Sequence, residues 1–233
     1  MTASANRSRL DKDNMKGKLI VIEGLDGSGK GTQTKQLYET LLAAGKQVRQ
    51  ISFPCYGTKA AALLESYLKG EFGNDPSAVN PYAASTFFAI DRYVSFQQEW
   101  KEFYENGGIV IADRYTTSNA IHQCAKLPKE QWDSFLDWLF TYEYRQLGLP
   151  TPDAVIYLRV DPEISQELLI GRYEGNAAKK DIHESNLGYL KNCRRAADYC
   201  AGYLNWCAVE CVRDEQLRSI EDIAAEVLQI AER

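Results

Sequence analysis

The sequence predicts an α/β protein with a parallel sheet covered by helices on both faces, and three features of its 233 residues point there. Short runs with strand character alternate with longer runs of helical spacing. The strand candidates are almost continuously apolar, as expected where a sheet is buried on both sides. A glycine-rich turn joins the first strand candidate directly to a helix, the βα connection from which right-handed crossovers are built.

After a polar tail, residues 18–22 (KLIVI) form the first strand. Strong helix formers then run from 29 to 44, with Leu37, Leu41 and Leu42 at helical spacing and Gly45 in a C-cap position. Residues 47–53 (QVRQISF) alternate and stop at Pro54, a second strand; 60–68 is a short helix ended by Lys69-Gly70. A long aromatic-rich helix spans 81–104, and 109–112 (IVIA), behind Asn106-Gly107-Gly108, is a buried strand ending at Asp113. Helix 132–147 leads to strand 152–160 (PDAVIYLRV), followed by Asp161-Pro162 and a helix to Arg172. The polar stretch 175–180 is turn-like, 186–203 is helical, 206–212 is the last strand and 220–231 the closing helix. No linker and no repeat divides the chain. The expected organisation is a disordered polar tail over 1–15 and a single domain over 16–233.

Composition narrows the function. With 27 Lys and Arg against 32 Asp and Glu, the net charge is −5, so the chain has no general attraction for nucleic acid or an anionic membrane. A polyanionic ligand needs a local basic site. The apolar runs fall far short of the roughly 20 residues that cross a bilayer. Residues 1–14 contain no apolar core of a secretion signal. The six cysteines, at 55, 124, 193, 200, 207 and 211, lack paired C-x-x-C spacing, which predicts packing residues in a reducing cytoplasmic protein. Two histidines, His122 and His183, are too few for histidine-rich metal catalysis.

The most specific signal is the segment Gly24-Leu25-Asp26-Gly27-Ser28-Gly29-Lys30-Gly31-Thr32, set between the first strand and the first helix. Glycines let the backbone curl so that successive N–H groups converge, the helix N-terminus adds partial positive charge, and a lysine reaches terminal phosphates. Gly24, Gly27, Ser28, Gly29, Lys30, Gly31 and Thr32 are therefore the candidate phosphate cradle. Where the usual pattern has a Ser or Thr after the lysine to meet magnesium, this chain has Gly31, and the hydroxyl comes one place later at Thr32. Asp113, at the carboxyl end of its strand, is the expected second acidic group, so Asp113 and Thr32 are the candidate Mg2+ contacts. Capping a helix is the competing reading for this aspartate, and the two roles are compatible.

Four segments in order resemble the thymidylate kinase family of nucleoside monophosphate kinases: Glu23 to Lys30, Phe53-Pro54, Phe87-Phe88-Ala89-Ile90-Asp91-Arg92, and Asp113-Arg114-Tyr115 with Ser118-Asn119-Ala120 behind it. The resemblance implies a three-layer P-loop NTPase fold, a five-stranded parallel sheet flanked by helices with a short lid. It implies ATP and dTMP as substrates, Mg2+ as cofactor, dTDP as product, and a homodimer, for which the aromatic helix with Trp100 and Phe103 is a candidate interface. On this resemblance Asp26 meets the acceptor sugar, Phe88 stacks on the pyrimidine, Arg92 and Arg114 grip the acceptor phosphate and the transferring group, and Asn119 bonds the base edge. Phe53, Ser118, His122 and Gln123 complete the expected dTMP site. For Phe87 and Phe88 core packing is the competing reading. Lys30, Arg114, Arg172 and Asp113 are the catalytic candidates, since phosphoryl transfer asks mainly for alignment and charge cancellation.

Without an arginine in the phosphate loop, the resemblance places a catalytic cation in a lid at about 172–184, with Arg172, Lys179 and Lys180 as candidates. Two departures bear on the acceptor. After Phe53-Pro54 the family commonly has an arginine, where this chain reads Cys55-Tyr56-Gly57-Thr58-Lys59; and His122 stands where a tyrosine or phenylalanine is common. The alternatives are a kinase for another monophosphate such as dUMP or AMP, and a nucleotide-binding regulator that has lost transfer.

Overall fold

The computed structural model describes residues 16–161, 163–165, 183, 186–214 and 216–233. Strand β1 (Lys18–Glu23) is buried from Leu19 onward and lies at the centre of a sheet. It pairs in parallel with β3 (Ile109–Asp113) on one side and β4 (Ala154–Arg159) on the other. β2 (Val48–Ser52) and β5 (Cys207–Glu210) form the edges, giving the order β2-β3-β1-β4-β5. Every pairing in this sheet is parallel, the expected five-stranded arrangement.

Strand periodicity sorts the core into two sides. Ile20 and Ile22 of β1 pack with Leu37 and Leu41 of α1 (Lys30–Ala43) and Ile223, Val227 and Ile230 of α8 (Ile220–Ala231). Leu19 and Val21 face the other way, onto Phe96, Trp100, Tyr104 and Tyr115. A further cluster joins α5 (Thr116–Cys124), α6 (Trp132–Phe140) and α7 (Leu187–Tyr203) through Cys124, Phe135, Leu136, Leu139 and Cys200. Each large apolar side chain so buried contributes roughly 1.5–3 kcal/mol. The cysteines carry no disulfide, and Cys124, Cys193, Cys200 and Cys211 are packing residues.

The termini of the helices follow their sequence signals. Gly45 (φ 75°) ends α1, its N–H reaching Leu42 O while Lys46 N–H reaches Leu41 O. Gly70 (φ 79°) closes α2 (Ala62–Leu68) in the same way. Asn80 caps α3 (Pro81–Ser95) by accepting from Ala83 N–H, Asn186 caps α7, and Ser219 caps α8.

Four segments differ from the sequence expectation. The long helix over 81–104 is α3, a π-helical turn at Phe96–Trp100, and α4 (Lys101–Glu105). Trp100 is fully buried in its own core, so it is no interface residue; Phe103 is half-buried and packs on the same cluster. Helix 132–147 is α6 followed by a π-helical turn at Thr141–Gln146. The last strand stops at Glu210, and Val212–Arg213 (β6) turns back to pair antiparallel with Gln216–Leu217 (β7). Helix α5 had no element assigned to it in the sequence. Its Thr116, Thr117, Ser118 and Asn119 are poor helix formers, and burial of most of the helix overrides their propensity. The polar tail and most of the segment from 162 to 185, including the expected lid cations, lie outside the described residues.

Candidate active site

The glycine loop leaves β1 at Gly24 and enters α1 at Lys30. Gly27 and Gly29 both have φ 85°, a left-handed conformation that side chains resist. Gly29 is the N-cap residue of α1, which has no side-chain cap and no acidic residue in its first turn. The first N–H groups of the helix are thus left for a ligand, and an anion is the natural one. Gly24 serves differently: a Cβ there would stand 2.5 Å from Ser28 Oγ and 2.9 Å from Leu158 O.

The loop opens into a cleft of about 530 Å³ whose walls include Gly27 to Thr32, Phe53, Phe88, Arg92, Asp113, Arg114, Ser118, Asn119 and His122. Charges alternate on its floor. Lys30 Nζ donates to Leu25 O at 2.8 Å and lies 3.8 Å from Asp26 Oδ1. Arg114, in the left-handed region at φ 68°, pairs with the same Asp26 oxygen and approaches Ser118 Oγ at 3.4 Å. Burial alone would raise the Asp26 pKa, but Arg114 and then Lys30 hold its carboxyl well below the usual range. Burial and the Arg114 charge lower the Lys30 pKa, opposed by Asp26, Asp113 and Glu23.

Asp113 lies beside Ile22 and Ser52 in the sheet register, and its Oδ1 is buried with no protein partner. An unpartnered carboxylate oxygen facing a phosphate loop has the chemistry of a Mg2+ ligand, direct or through water. Gly31 offers no hydroxyl; a Cβ built there would sit 3.4 Å from Asp113 Oδ2. Thr32 is exposed on the cleft wall. No cluster of three or more His, Cys, Asp or Glu able to hold a metal occurs among the described residues, so a bound ion would draw most of its oxygens from phosphates and water.

Away from the loop the cleft becomes aromatic and amide-lined. Phe88 lines it and meets Tyr67 edge-on with ring centroids 6.1 Å apart, whereas Phe87 packs against Tyr67 and Phe72 outside the cleft. Arg92 is buried and gives Nε and Nη2 to Glu143 at 2.7 and 2.6 Å, so it offers the cleft a directed N–H rather than an unbalanced charge. Asn119 Nδ2 donates to Ser85 O and to Glu143 Oε1. Both amide atoms of Gln123 are buried without a partner while the residue lines the cleft.

The remaining wall is the pair of histidines. His122 and His183 stack with centroids 5.2 Å apart and planes 12° from parallel. His122 Nε2 is 3.5 Å from Arg114 Nη1, and Tyr189 donates its hydroxyl to His122 O at 2.8 Å. His183 Nε2 is 2.7 Å from the hydroxyl of Tyr67, which accepts from Lys126 Nζ at 2.9 Å. Burial, aided by the Arg114 charge, pushes His122 down to about 3; burial likewise lowers His183.

Of the residues singled out in the sequence, Asp26, Phe53, Phe88, Arg92, Arg114, Ser118, Asn119, His122 and Gln123 meet in one cleft with Lys30, Asp113 and the phosphate loop. Gly24 lies outside its walls, and Arg172, Lys179 and Lys180 lie outside the described residues. In the segment after Pro54, Tyr56 reaches the cleft and Lys59 does not. Two glutamates escaped sequence reasoning as functional groups. Glu23, fully buried, accepts from Thr117 and Ser118 hydroxyls and from Gly24 N–H. Glu143 accepts from Arg92, Thr116 and Asn119. The available signal for Glu143 was its spacing from Leu136 and Leu139, which places a charge on a buried helical stripe.

Comparison with known proteins gives the family. The family profile described as thymidylate kinase matches residues 22–219. The chain is 39% identical over 170 residues to the thymidylate kinase of Mycobacterium tuberculosis, covering 71% of this chain and 77% of that one. It is 34% identical over 146 residues to the human thymidylate kinase, covering 62% of each. The fold is shared with the thymidylate kinase of Candida albicans, with a TM-score of 0.65 and 22% identity over 93% of this chain and 92% of that one.

Proposed function

Because the chain belongs to the thymidylate kinase family, we propose that ATP and dTMP meet head to head in the cleft between the glycine loop and α3. The reaction transfers the terminal phosphoryl group of ATP to the phosphate of dTMP and yields ADP and dTDP. A phosphate oxygen of dTMP forms the new P–O bond as the bond between the terminal phosphorus and the bridging oxygen of ATP breaks.

The observation that carries this reading is the convergence, in one cleft, of an uncapped helix N-terminus, Lys30 and Arg114 with an aromatic and amide-lined recess. The loop N–H groups and Lys30 hold the donor phosphates. Arg114, braced by Asp26, stands between the two nucleotides and supplies positive charge to the group in transit. Phe88 stacks on the pyrimidine, Asn119 and Gln123 present polar atoms to the base, and Asp26 and His122 border the sugar. Asp113 and Thr32 would hold Mg2+, which when bound draws charge from the donor phosphates. Arg172 is the proposed lid cation. A homodimer is proposed with it on the resemblance, supported by Ile90, which α3 leaves 41% exposed. Among the described residues no helix is long and apolar enough to cross a membrane.

The test is a competition assay with purified protein, ATP-Mg and a panel of nucleoside monophosphates. Formation of dTDP with dTMP preferred is the expected outcome. Phosphorylation of another monophosphate without dTMP turnover overturns the acceptor assignment, and no phosphorylation at all overturns the enzyme reading.

A further inference from the structure

Glu143 is a carboxylate with no exposure to solvent, on a π-helical turn distant in sequence from every motif of the site. π-Helical turns inside helices are uncommon and concentrate at functional sites. The wider π turn, with its i→i+5 hydrogen bonds, carries Glu143 at the end of α6, where it meets Arg92 of α3 and Thr116 and Asn119 of α5. It accepts four hydrogen bonds: two from Arg92, one from Thr116 Oγ1 at 2.7 Å and one from Asn119 Nδ2 at 3.0 Å. Two of its donors, Arg92 and Asn119, line the cleft.

The consequence for Asn119 is chemical. A carboxylate and a backbone carbonyl only accept, so with Glu143 Oε1 and Ser85 O as neighbours the amide nitrogen has to face them. Oδ1, an acceptor, is what remains for the cleft. Arg92 is constrained by the same residue. Its fork is seated on both Glu143 oxygens through Nε and Nη2, which fixes the guanidinium plane and leaves Nη1, a donor. One acid therefore orients both an acceptor and a donor.

We infer that Glu143 is the positioning residue for base recognition, holding Asn119 and Arg92 so that the cleft presents an acceptor beside a donor to the acceptor nucleotide. This rests on the reading that a pyrimidine monophosphate binds beside Phe88. The pair is complementary to the imide edge of thymine, where a ring N–H adjoins a carbonyl. Cytosine carries the opposite order, a bare ring nitrogen beside an amino group, and would leave both protein groups facing like partners. A site whose polar groups are locked rejects the mismatched ring far better than one whose amide can turn over.

The experiment compares kcat/KM for dTMP and dCMP in the native chain, Glu143→Gln and Thr116→Val. Their ratio is independent of the fraction of molecules that fold, so loss of stability alone leaves it unchanged. Glu143→Gln puts a donor where only acceptors stood and frees the Asn119 amide; KM for dTMP should rise at least ten-fold, KM for ATP should stay within two-fold, and the dTMP/dCMP ratio should fall about ten-fold. An unchanged ratio overturns the inference and leaves Glu143 a stabilising ion-pair partner. Where Glu143→Gln yields no folded protein, Thr116→Val decides: it removes one donor from Glu143 without unpairing a charge or touching the cleft. A fall in the ratio of about three-fold supports the positioning role, and no fall overturns it. Native protein that makes no dTDP overturns the acceptor reading itself, a result separate from either variant's.

Discussion

Lys30 feels Asp26, Asp113 and Glu23 on one side and Arg114 on the other, so its ammonium is held among carboxylates before any nucleotide arrives. A lysine so placed is preorganised for a polyphosphate, because its charge need not be rearranged as the terminal phosphate departs. Lys30→Met should lower kcat by about 10²- to 10³-fold, the cost typical of deleting one electrostatic contact to a transition state. Circular dichroism should show the fold retained, since the Lys30 head group makes one hydrogen bond, to Leu25 O, and Asp26, its ion-pair partner, keeps Arg114. Turnover unchanged in a folded variant would remove Lys30 from the mechanism. At this scale the sequence was legible where chemistry demands a fixed spacing. The loop from Gly24 to Thr32 was legible because glycine and lysine have to occur at those intervals, and Asp113 because it ends a buried strand at the carboxyl edge of the sheet, whereas Arg114 followed from the family resemblance. Glu143 and Glu23 act by accepting hydrogen bonds from residues distant in sequence; the interval from Leu136 and Leu139 marks Glu143 as buried but does not say which donors it meets. The roles of Phe87 and Phe88 were likewise inseparable until α3 was docked, because neighbouring positions on a helix differ in facing by about 100° and only the packing says which faces the cleft.

Helix α1 illustrates what an element adds to its residues. Gly31 is its second residue, inside the helical hydrogen-bonding pattern and without a positive φ, so its glycine is not required by backbone geometry. A serine there avoids the entropy cost of glycine and should stabilise the protein by about 0.5 kcal/mol in urea melts. The new Cβ would stand 3.4 Å from Asp113 Oδ2, ordinary contact for a carboxylate that can shift slightly. The serine hydroxyl then joins Asp113 at the proposed ion site. Gly31→Ser should lower the Mg2+ concentration for half-maximal rate by several-fold; a half-maximal concentration that does not move would show that the ion sits elsewhere. Boundaries of elements such as α1, α2 and α8 were readable because their caps are local: Gly45, Gly70 and Ser219 carry the stop and start signals themselves. Helix α5 and the two π-helical turns were not, because their conformation is set by what they bury. Thr116 to Asn119 have neither helical propensity nor an apolar stripe, and the π-helical turn at Thr141–Gln146 is defined by a ladder of hydrogen bonds that side-chain spacing does not encode.

Over the whole molecule, alternation of strands and helices was enough to predict a parallel sheet, but the strand order and the closeness of residues 122 and 183 emerge only from the folded chain. That closeness has a thermodynamic consequence. Two imidazoles stacked 5.2 Å apart are held neutral in the native state first by burial, with the Arg114 and Lys126 charges adding to it and Asp26 opposing. In the unfolded chain a histidine titrates near 6.5, while folded His122 does so at about 3. Between those values the unfolded state binds more protons, so stability falls as pH falls, by about 1.4 kcal/mol per pH unit for each such histidine. Asp26, whose pKa is depressed, adds its own loss from about pH 5 downward, where an unfolded aspartate begins to protonate. Asp91, raised by burial, opposes the trend at the lower end of the interval. His122→Phe removes one imidazole and leaves those carboxyl contributions in place. Urea unfolding at pH 6.5 and pH 4.5 should show the native chain losing about 2 kcal/mol more than the variant. Equal losses would mean that His122 accepts its proton within the folded protein, and that the wall it forms with His183 tolerates charge.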